Sequence, residues 1–256
     1  RPMHKKECKK RAAELHDEAL FKEPPPTDEC PICMLPLPLD YGTGQQYQSC
    51  CGKIICTGCI FAVAANDSRG ICPFCRVPGP TSKGEIVSRV KKRVEGDDAV
   101  AMHQLGCIYD SGQMGLPQDS DKATKLFVRA GELGCVIAQC KIALAYESGD
   151  GAERDTKKAV HYYELAAMGG DAFARHNLGR LEAREGNMSR AIKHFMISAA
   201  AGDDDSLKAI RKCFMNGHAT KDDFEKALRS HQEANDELMN DQREAAEALV
   251  KNEELV

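Results

Sequence analysis

Eight cysteines between Cys30 and Cys75 restrict this chain more than any other feature, because they fall in pairs at metal-holding spacings. They read as C-P-I-C at Cys30 and Cys33, C-C at Cys50 and Cys51, C-T-G-C at Cys56 and Cys59, and C-P-F-C at Cys72 and Cys75. Zinc takes four thiolates in a tetrahedron, so eight cysteines fill two closed structural sites. A module this short has too little core to be secure alone, and structural zinc supplies on the order of 10 kcal/mol or more to such folds. The chain has thirteen cysteines, an odd number. In a reducing compartment they are better explained by metal than by complete disulfide pairing. The expected cofactors are two structural zinc ions.

Cys50 and Cys51 have no spacer, and neighbours on an extended strand face opposite sides. Two thiolates on one zinc need sulfurs about 3.8 Å apart, given zinc–sulfur bonds near 2.3 Å. A turn at Cys50-Cys51-Gly52 can achieve this, with Gly52 allowing unusual dihedrals. The alternative is that one of the pair is a buried spectator and another group completes the site. The polar interval Asp40 to Ser49, with Gly42 and Gly44, reads as a loop or short hairpin. Ile54 and Ile55 suit a short strand, and Ile60 to Asn66 a helix ending near Arg69 and Gly70.

The remaining chain is long enough for a second domain with its own core. It has no Trp and few aromatic residues, which favours helices over a sandwich or barrel. From His4 to Lys22, Cys8, Ala12, Leu15, Ala19 and Leu20 recur at helical spacing and predict a short amphipathic helix packed on a neighbour. Pro24, Pro25 and Pro26 stop it and form a stiff connector. Val77-Pro-Gly-Pro80 is a second linker. Glu85 to Glu95 then reads as a helix with Ile86, Val87, Val90 and Val94 on one face. Its bases Arg89, Lys91, Lys92 and Arg93 are expected on a solvated flank rather than on RNA.

From Asp97 the sequence repeats. Leu105-Gly106-x-x-Tyr109-x-x-Gly112 recurs as Ile142-Ala143-x-x-Tyr146-x-x-Gly149, and shortened as Leu178-Gly179. Ala123, Ala159, Ala191 and Ala227 head the second helix of each unit. Phe127, Tyr163 and Phe195 follow the first three by four residues, and Gly134, Gly170 and Gly202 by eleven. Small residues at one helical phase permit close packing, aromatics fill the gaps, and glycine ends each helix in a left-handed cap. A fourth unit, ending near Asn235, keeps only Ile210, Gly217 and Ala227. The acidic stretch from Asp236 to Val256 is expected to be helical, capping the stack or fraying.

These units resemble Sel-one-like repeats, tetratricopeptide relatives in which antiparallel helix pairs stack into a right-handed superhelix. The order of the cysteines resembles the RING finger family. That family's cross-brace assigns Cys30, Cys33, Cys56 and Cys59 to one zinc, and Cys50, Cys51, Cys72 and Cys75 to the other. The usual ligand histidine is absent, since none lies between His16 and His103; the resemblance therefore implies an all-cysteine variant. In ligase-type members, the positions of Ile32 and Pro73 line a shallow groove for a ubiquitin-conjugating enzyme. The position of Arg76 carries a cation bridging that enzyme and its ubiquitin, a role suited to a planar guanidinium fork.

The expected architecture is mainly α: a small zinc-bound RING-like α/β module followed by an α-helical solenoid of helix-pair repeats. The segments are an N-terminal helix and linker over 1–29, the zinc finger over 30–76, a linker and connecting helix over 77–96, repeats over 97–235 and a tail over 236–256. The resemblance implies a ubiquitin ligase that recruits a charged conjugating enzyme and ubiquitin through the finger, and a protein or peptide substrate through the repeats. Transfer would proceed without a covalent intermediate on this chain. The competing reading is a non-enzymatic interaction scaffold with a structural zinc finger.

Cys8, Cys107, Cys135, Cys140 and Cys213 are expected as buried small apolar side chains. His103, His161, His176, His194, His218 and His231 show no metal spacing and are expected on solvated or partly buried helix faces. A net charge of −4 gives no general reason for nucleic-acid binding. No apolar run suggests a membrane span. A cytoplasmic or nuclear location is expected, although beginning at Arg1 suggests a fragment or processed form, from which an upstream targeting segment could be missing.

Overall fold

Alanine and glycine at regular intervals let helices approach closely, and that periodicity decides the architecture. The computed structural model describes residues 2–39, 44–66 and 69–253. In chain order the elements are α1 (Pro2–Leu20), β1 (Gln45–Tyr47), β2 (Ile54–Cys56), α2 (Thr57–Asn66) and α3 (Lys83–Glu95). Four helix pairs follow: α4 (Ala99–Ser111) with α5 (Ser120–Glu132), α6 (Val136–Ser148) with α7 (Thr156–Met168), α8 (Ala172–Arg184) with α9 (Met188–Ala200), and α10 (Asp204–Met215) with α11 (Lys221–Leu238). A last helix, α12, runs Asp241–Glu253. The fold is mainly helical, a solenoid preceded by a cysteine-rich region with two short strands.

Both ends of the solenoid helices are written in the sequence. Asp98, Asp119, Asp155, Asp171 and Asp203 each accept a backbone N–H of the first turn they precede, satisfying donors the helix cannot. Gly134, Gly170 and Gly202 take positive φ just after α5, α7 and α9. The repeated alanines Ala123, Ala159, Ala191 and Ala227 are all buried, as are Phe127, Tyr163 and Phe195. α8 and α9 are joined by only three residues, so the third pair lacks the longer loops of the first two. The α3 helix, capped by the Ser82 hydroxyl, packs on α4 and feeds Val90 into a cluster with Ala101 and Leu105.

α1 forms where the apolar spacing places it, and its C-terminal end is docked, with His16 meeting Glu164 of α7 at 3.0 Å. Leu20 joins the core of the second pair with Tyr163 and Leu178. Arg190 of α9 pairs with Asp17 at 2.6 Å and lies over the Phe21 ring. Cys8 is exposed, contrary to the expectation of burial, because it precedes that docked end. Cys135, Cys140 and Cys213 are buried as expected and Cys107 is half-buried.

Three histidines are more deeply enclosed than the expected solvated or partly buried faces. His103, His194 and His231 are buried. His103 packs against Phe127, and His194 against Phe21, so each ring serves as an aromatic filler between helices.

The tail also differs from expectation. Rather than capping the solenoid or fraying, α12 returns to the cysteine-rich region and packs along α2. Residues 254–256 of that stretch lie outside the described residues, as do Asp40 and Gly42 of the expected loop.

Candidate metal centre

The first and last cysteine pairs are built as one turn used twice. C-P-I-C-M-L-P over 30–36 and C-P-F-C-R-V-P over 72–78 share four of seven letters in register and are apolar together at two more positions, a duplication that extends beyond the cysteines. Cys30 N–H donates to the Leu35 carbonyl and Met34 N–H to the Cys30 carbonyl, both at 2.9 Å; Cys72 to Val77 and Arg76 to Cys72 repeat the pattern at 2.9 and 3.0 Å. Each turn closes with a bridge, Glu29 to Pro36 and Ile71 to Pro78. Met34 and Arg76 occupy the left-handed region at φ 58° and 62°, a backbone position that ordinary residues rarely adopt, and both side chains are exposed.

The second pair sits at the tip of a hairpin rather than after one. β1 and β2 pair antiparallel with Gln46 opposite Ile55, and Gln48 N–H donates to the Lys53 carbonyl at 2.8 Å. Ser49, Cys50, Cys51 and Gly52 form the tip between them. Gly52 at φ 73° turns the chain, and a side chain there would run into the Arg93 guanidinium. β2 leads straight into α2, which sets Cys56 at the strand end and Cys59 in the first helical turn.

The sulfurs gather into two interleaved quartets. Cys30, Cys33, Cys56 and Cys59 form one, and Cys50, Cys51, Cys72 and Cys75 the other, with the Sγ atoms of each within 4.8 Å of one another. Cys33 to Cys56 is 3.8 Å, Cys51 to Cys72 is 3.9 Å and Cys50 to Cys75 is 3.4 Å. Those separations suit the edge of a tetrahedron around a thiolate-bound ion. Both adjacent cysteines reach the second quartet, so its four donors need no outside group. The quartets can therefore each hold a metal ion.

Electrostatics point the same way. Burial, with neighbouring thiols, pushes Cys50 and Cys59 well above the ordinary thiol value. Burial also opposes ionisation at Cys30, but backbone N–H groups at Cys33, Cys56 and Ile32 outweigh it and bring the thiol down to about 7. Four thiolates this close repel one another, and a divalent cation is what removes the conflict.

Around the quartets, Ile32 is exposed on the first turn, Pro73 is buried on the second, and Arg76 is exposed directly after Cys75. Met34, Phe74 and Val77 are further exposed apolar side chains on these two turns. Two arginines from distant elements reach the module. Arg93 of α3 covers Gly52 and pairs with Asp98 at 2.7 Å. Arg243 of α12 is buried beside Cys33. Nothing in the spacing of the cysteines signals either one.

A second thiol site does not have the chemistry of a nucleophile. Cys107 Sγ lies 3.4 Å from His103 Nε2, but burial holds that thiol up at about 11 and that imidazole down at about 4. A reactive thiol needs the opposite shifts.

Among the described residues, no helix is long and apolar enough to cross a membrane. Residues 99–135 and 136–171 each match the Sel1 repeat family model. The chain is 32% identical over 124 residues to the chitin synthase regulator SKT5 of Saccharomyces cerevisiae, covering 45% of this chain and 18% of that protein. It is 31% identical over 103 residues to the ERAD-associated E3 ubiquitin-protein ligase component HRD3B of Arabidopsis thaliana, covering 40% and 16%. The chain thus spans less than a fifth of the length of either relative.

Among solved structures, a Sel1 repeat protein from Oxalobacter formigenes is similar at 27% identity and a TM-score of 0.52, covering 59% of this chain and 64% of that one. The c5321 antigen of uropathogenic Escherichia coli, which displays an SLR fold, is similar at 28% identity and 0.50, covering 59% and 33%. The alanine-faced helix pairs from α4 to α7 match the Sel1 repeat model, and they begin a solenoid similar in architecture to the solved Sel1 repeat proteins.

Proposed function

We propose that this chain is a zinc-dependent RING-type ubiquitin ligase whose Sel1 repeats hold a protein substrate. The observation that carries the reading is the interleaving of the two quartets, first pair with third and second pair with fourth. Ile32 lies on the first of the two matched turns, and Pro73 and Arg76 on the second. Zinc suits eight thiolates with no oxygen or nitrogen donor. When bound, it supplies structural support and no redox chemistry.

Within that reading, the exposed Ile32 receives a ubiquitin-conjugating enzyme, while Pro73, which is buried, shapes the second turn rather than offering a contact. Arg76, exposed and held at φ 62°, donates across the enzyme and its thioester-linked ubiquitin. Fixing the thioester in one orientation favours attack by a substrate lysine amine on its carbonyl, and the enzyme's cysteine thiolate departs. No covalent bond forms to this chain. Repeat solenoids present extended surfaces for protein partners. A cleft of about 660 Å³ between β1 and α4, lined by Tyr47, Val90, His103 and Lys141, supports a binding role for the repeats close to the module. The Arabidopsis relative is an E3 ubiquitin-protein ligase component, which supports a role in that chemistry.

The test is ubiquitination in vitro with a panel of conjugating enzymes, using wild-type protein shown to contain two zincs and Arg76→Ala. Chain formation by at least one enzyme, reduced at least tenfold by Arg76→Ala with zinc content unchanged, is expected. Two-zinc protein that is inactive with every enzyme would identify a scaffold instead.

A further inference from the structure

We propose that Arg243 latches the C-terminal helix α12 to the first cysteine quartet, and that the latch holds only while that quartet carries its metal. The inference rests on the metal reading above and goes beyond it, because it assigns a role to a helix some two hundred residues away in sequence.

Arg243 is 4% exposed. Its Nη1 donates to the Pro36 carbonyl at 2.8 Å and to the Leu238 carbonyl at 2.6 Å. Its Nη2 lies 3.6 Å from Cys33 Sγ and 3.5 Å from the Leu35 carbonyl. The Nε has no hydrogen-bond partner among the described residues, and no carboxylate of those residues is among the groups its guanidinium bonds. A buried guanidinium without a counter-charge is strongly unfavourable. The negative charge on offer is that of the quartet itself: four thiolates around one divalent ion leave a net dianion. Protonated thiols would leave none.

The rest of α12 is shaped to this contact. A side chain at Gly58 of α2 would lie 2.8 Å from Arg243 Cγ and 2.9 Å from its backbone nitrogen, so α2 admits α12 through a glycine. Ala246, one turn beyond Arg243, is also buried. Arg93, which reaches the second quartet's hairpin tip, differs in having its own carboxylate in Asp98. Coupling must be reciprocal: metal in the first quartet holds α12 down, and α12 slows loss of that metal.

The experiment compares wild type with Arg243→Met, which keeps the apolar stem without charge, and Arg243→Lys, which keeps charge without the fork. Zinc content, zinc release to a chelator and hydrogen exchange of α12 amides are measured on the full chain. Cys33→Ser and Cys75→Ser assign the release phases to the two quartets, and protected amides in α6 to α9 verify that each variant is folded.

The expected result is two zincs in wild type and, in Arg243→Met, release from the first quartet faster by about tenfold or more, the range typical of groups that support a metal ligand. Release from the second quartet is unchanged, α12 loses protection, and Arg243→Lys falls between. Stripping the first quartet of wild type should also release α12. Unchanged release in a folded Arg243→Met, or α12 protection that survives metal removal, overturns the latch while leaving the metal reading intact. Wild type that binds no zinc overturns both.

Discussion

One methyl group separates Gly179 from Ala143, its counterpart in the preceding helix pair, and the two positions meet different neighbours. A Cβ at Gly179 would lie 2.6 Å from the Phe195 ring, and one at Gly106 would lie 2.5 Å from Phe127. Ala143 shares its core cluster with Tyr163, whose hydroxyl donates to Glu147 at 2.8 Å and anchors that ring. Gly179→Ala should therefore destabilise the protein by about 1–3 kcal/mol through overpacking, read as a lower denaturant midpoint. Adding Phe195→Leu should recover part of the loss, and additive effects would show that the ring is not the obstacle.

His194 makes a different residue-scale prediction. It is fully buried, and neither ring nitrogen has a hydrogen-bond partner among the described residues. Burial leads, with Arg175 and Arg190 adding to it and Asp17 opposing, and the imidazole is held down to about 3. An unfolded histidine titrates near about 6.5. The native state thus favours the neutral ring: this contribution to stability is full above about pH 6.5 and is lost as pH falls toward the folded value. Thermal melts of His194→Leu should be less sensitive to pH between about 6.5 and 4 than those of wild type. An identical acid dependence would contradict this assignment.

At the scale of the element, α1 separates what periodicity reveals from what it hides. The apolar spacing places a helix there and names both Leu15 and Leu20, yet Leu20 is 1% exposed and Leu15 is 49% exposed. The helix is gripped at its C-terminal end: Arg175 donates to the Leu20 carbonyl, Arg190 pairs with Asp17, and His16 meets Glu164. Leu20→Ala should cost about 2–5 kcal/mol, whereas Leu15→Ala should stay within about 0.5 kcal/mol; denaturant unfolding of both distinguishes them. Helix pairs, caps and aromatic fillers were legible because each repeats at a fixed interval, and so was the grouping of paired cysteines. The docking of α12 was not. Arg243 meets Cys33 across the whole solenoid, and no local pattern records a partner that distant. The buried histidines were missed for a related reason: their neighbours, such as Phe21 beside His194, come from elements far away in sequence.

Across the whole molecule, the cysteine module is tied to α3 through Arg93 over Gly52 and to α12 through Arg243. The solenoid, by contrast, holds itself together through contacts between successive helices, which is the near-neighbour stability of repeat folds. Metal should therefore control one part of the molecule and not the other. Chelation should unfold the module, with its 10-residue α2, and release the 13-residue α12, while the four helix pairs persist. Far-UV circular dichroism should lose only a minor share of its helical signal, and hydrogen exchange should rise in α2 and α12 but not in α6 to α9. Collapse of most helicity on chelation would mean that the solenoid depends on the module it carries. Preservation of α2 would mean that its short sheet and core suffice without metal, contrary to what so small a fold can supply.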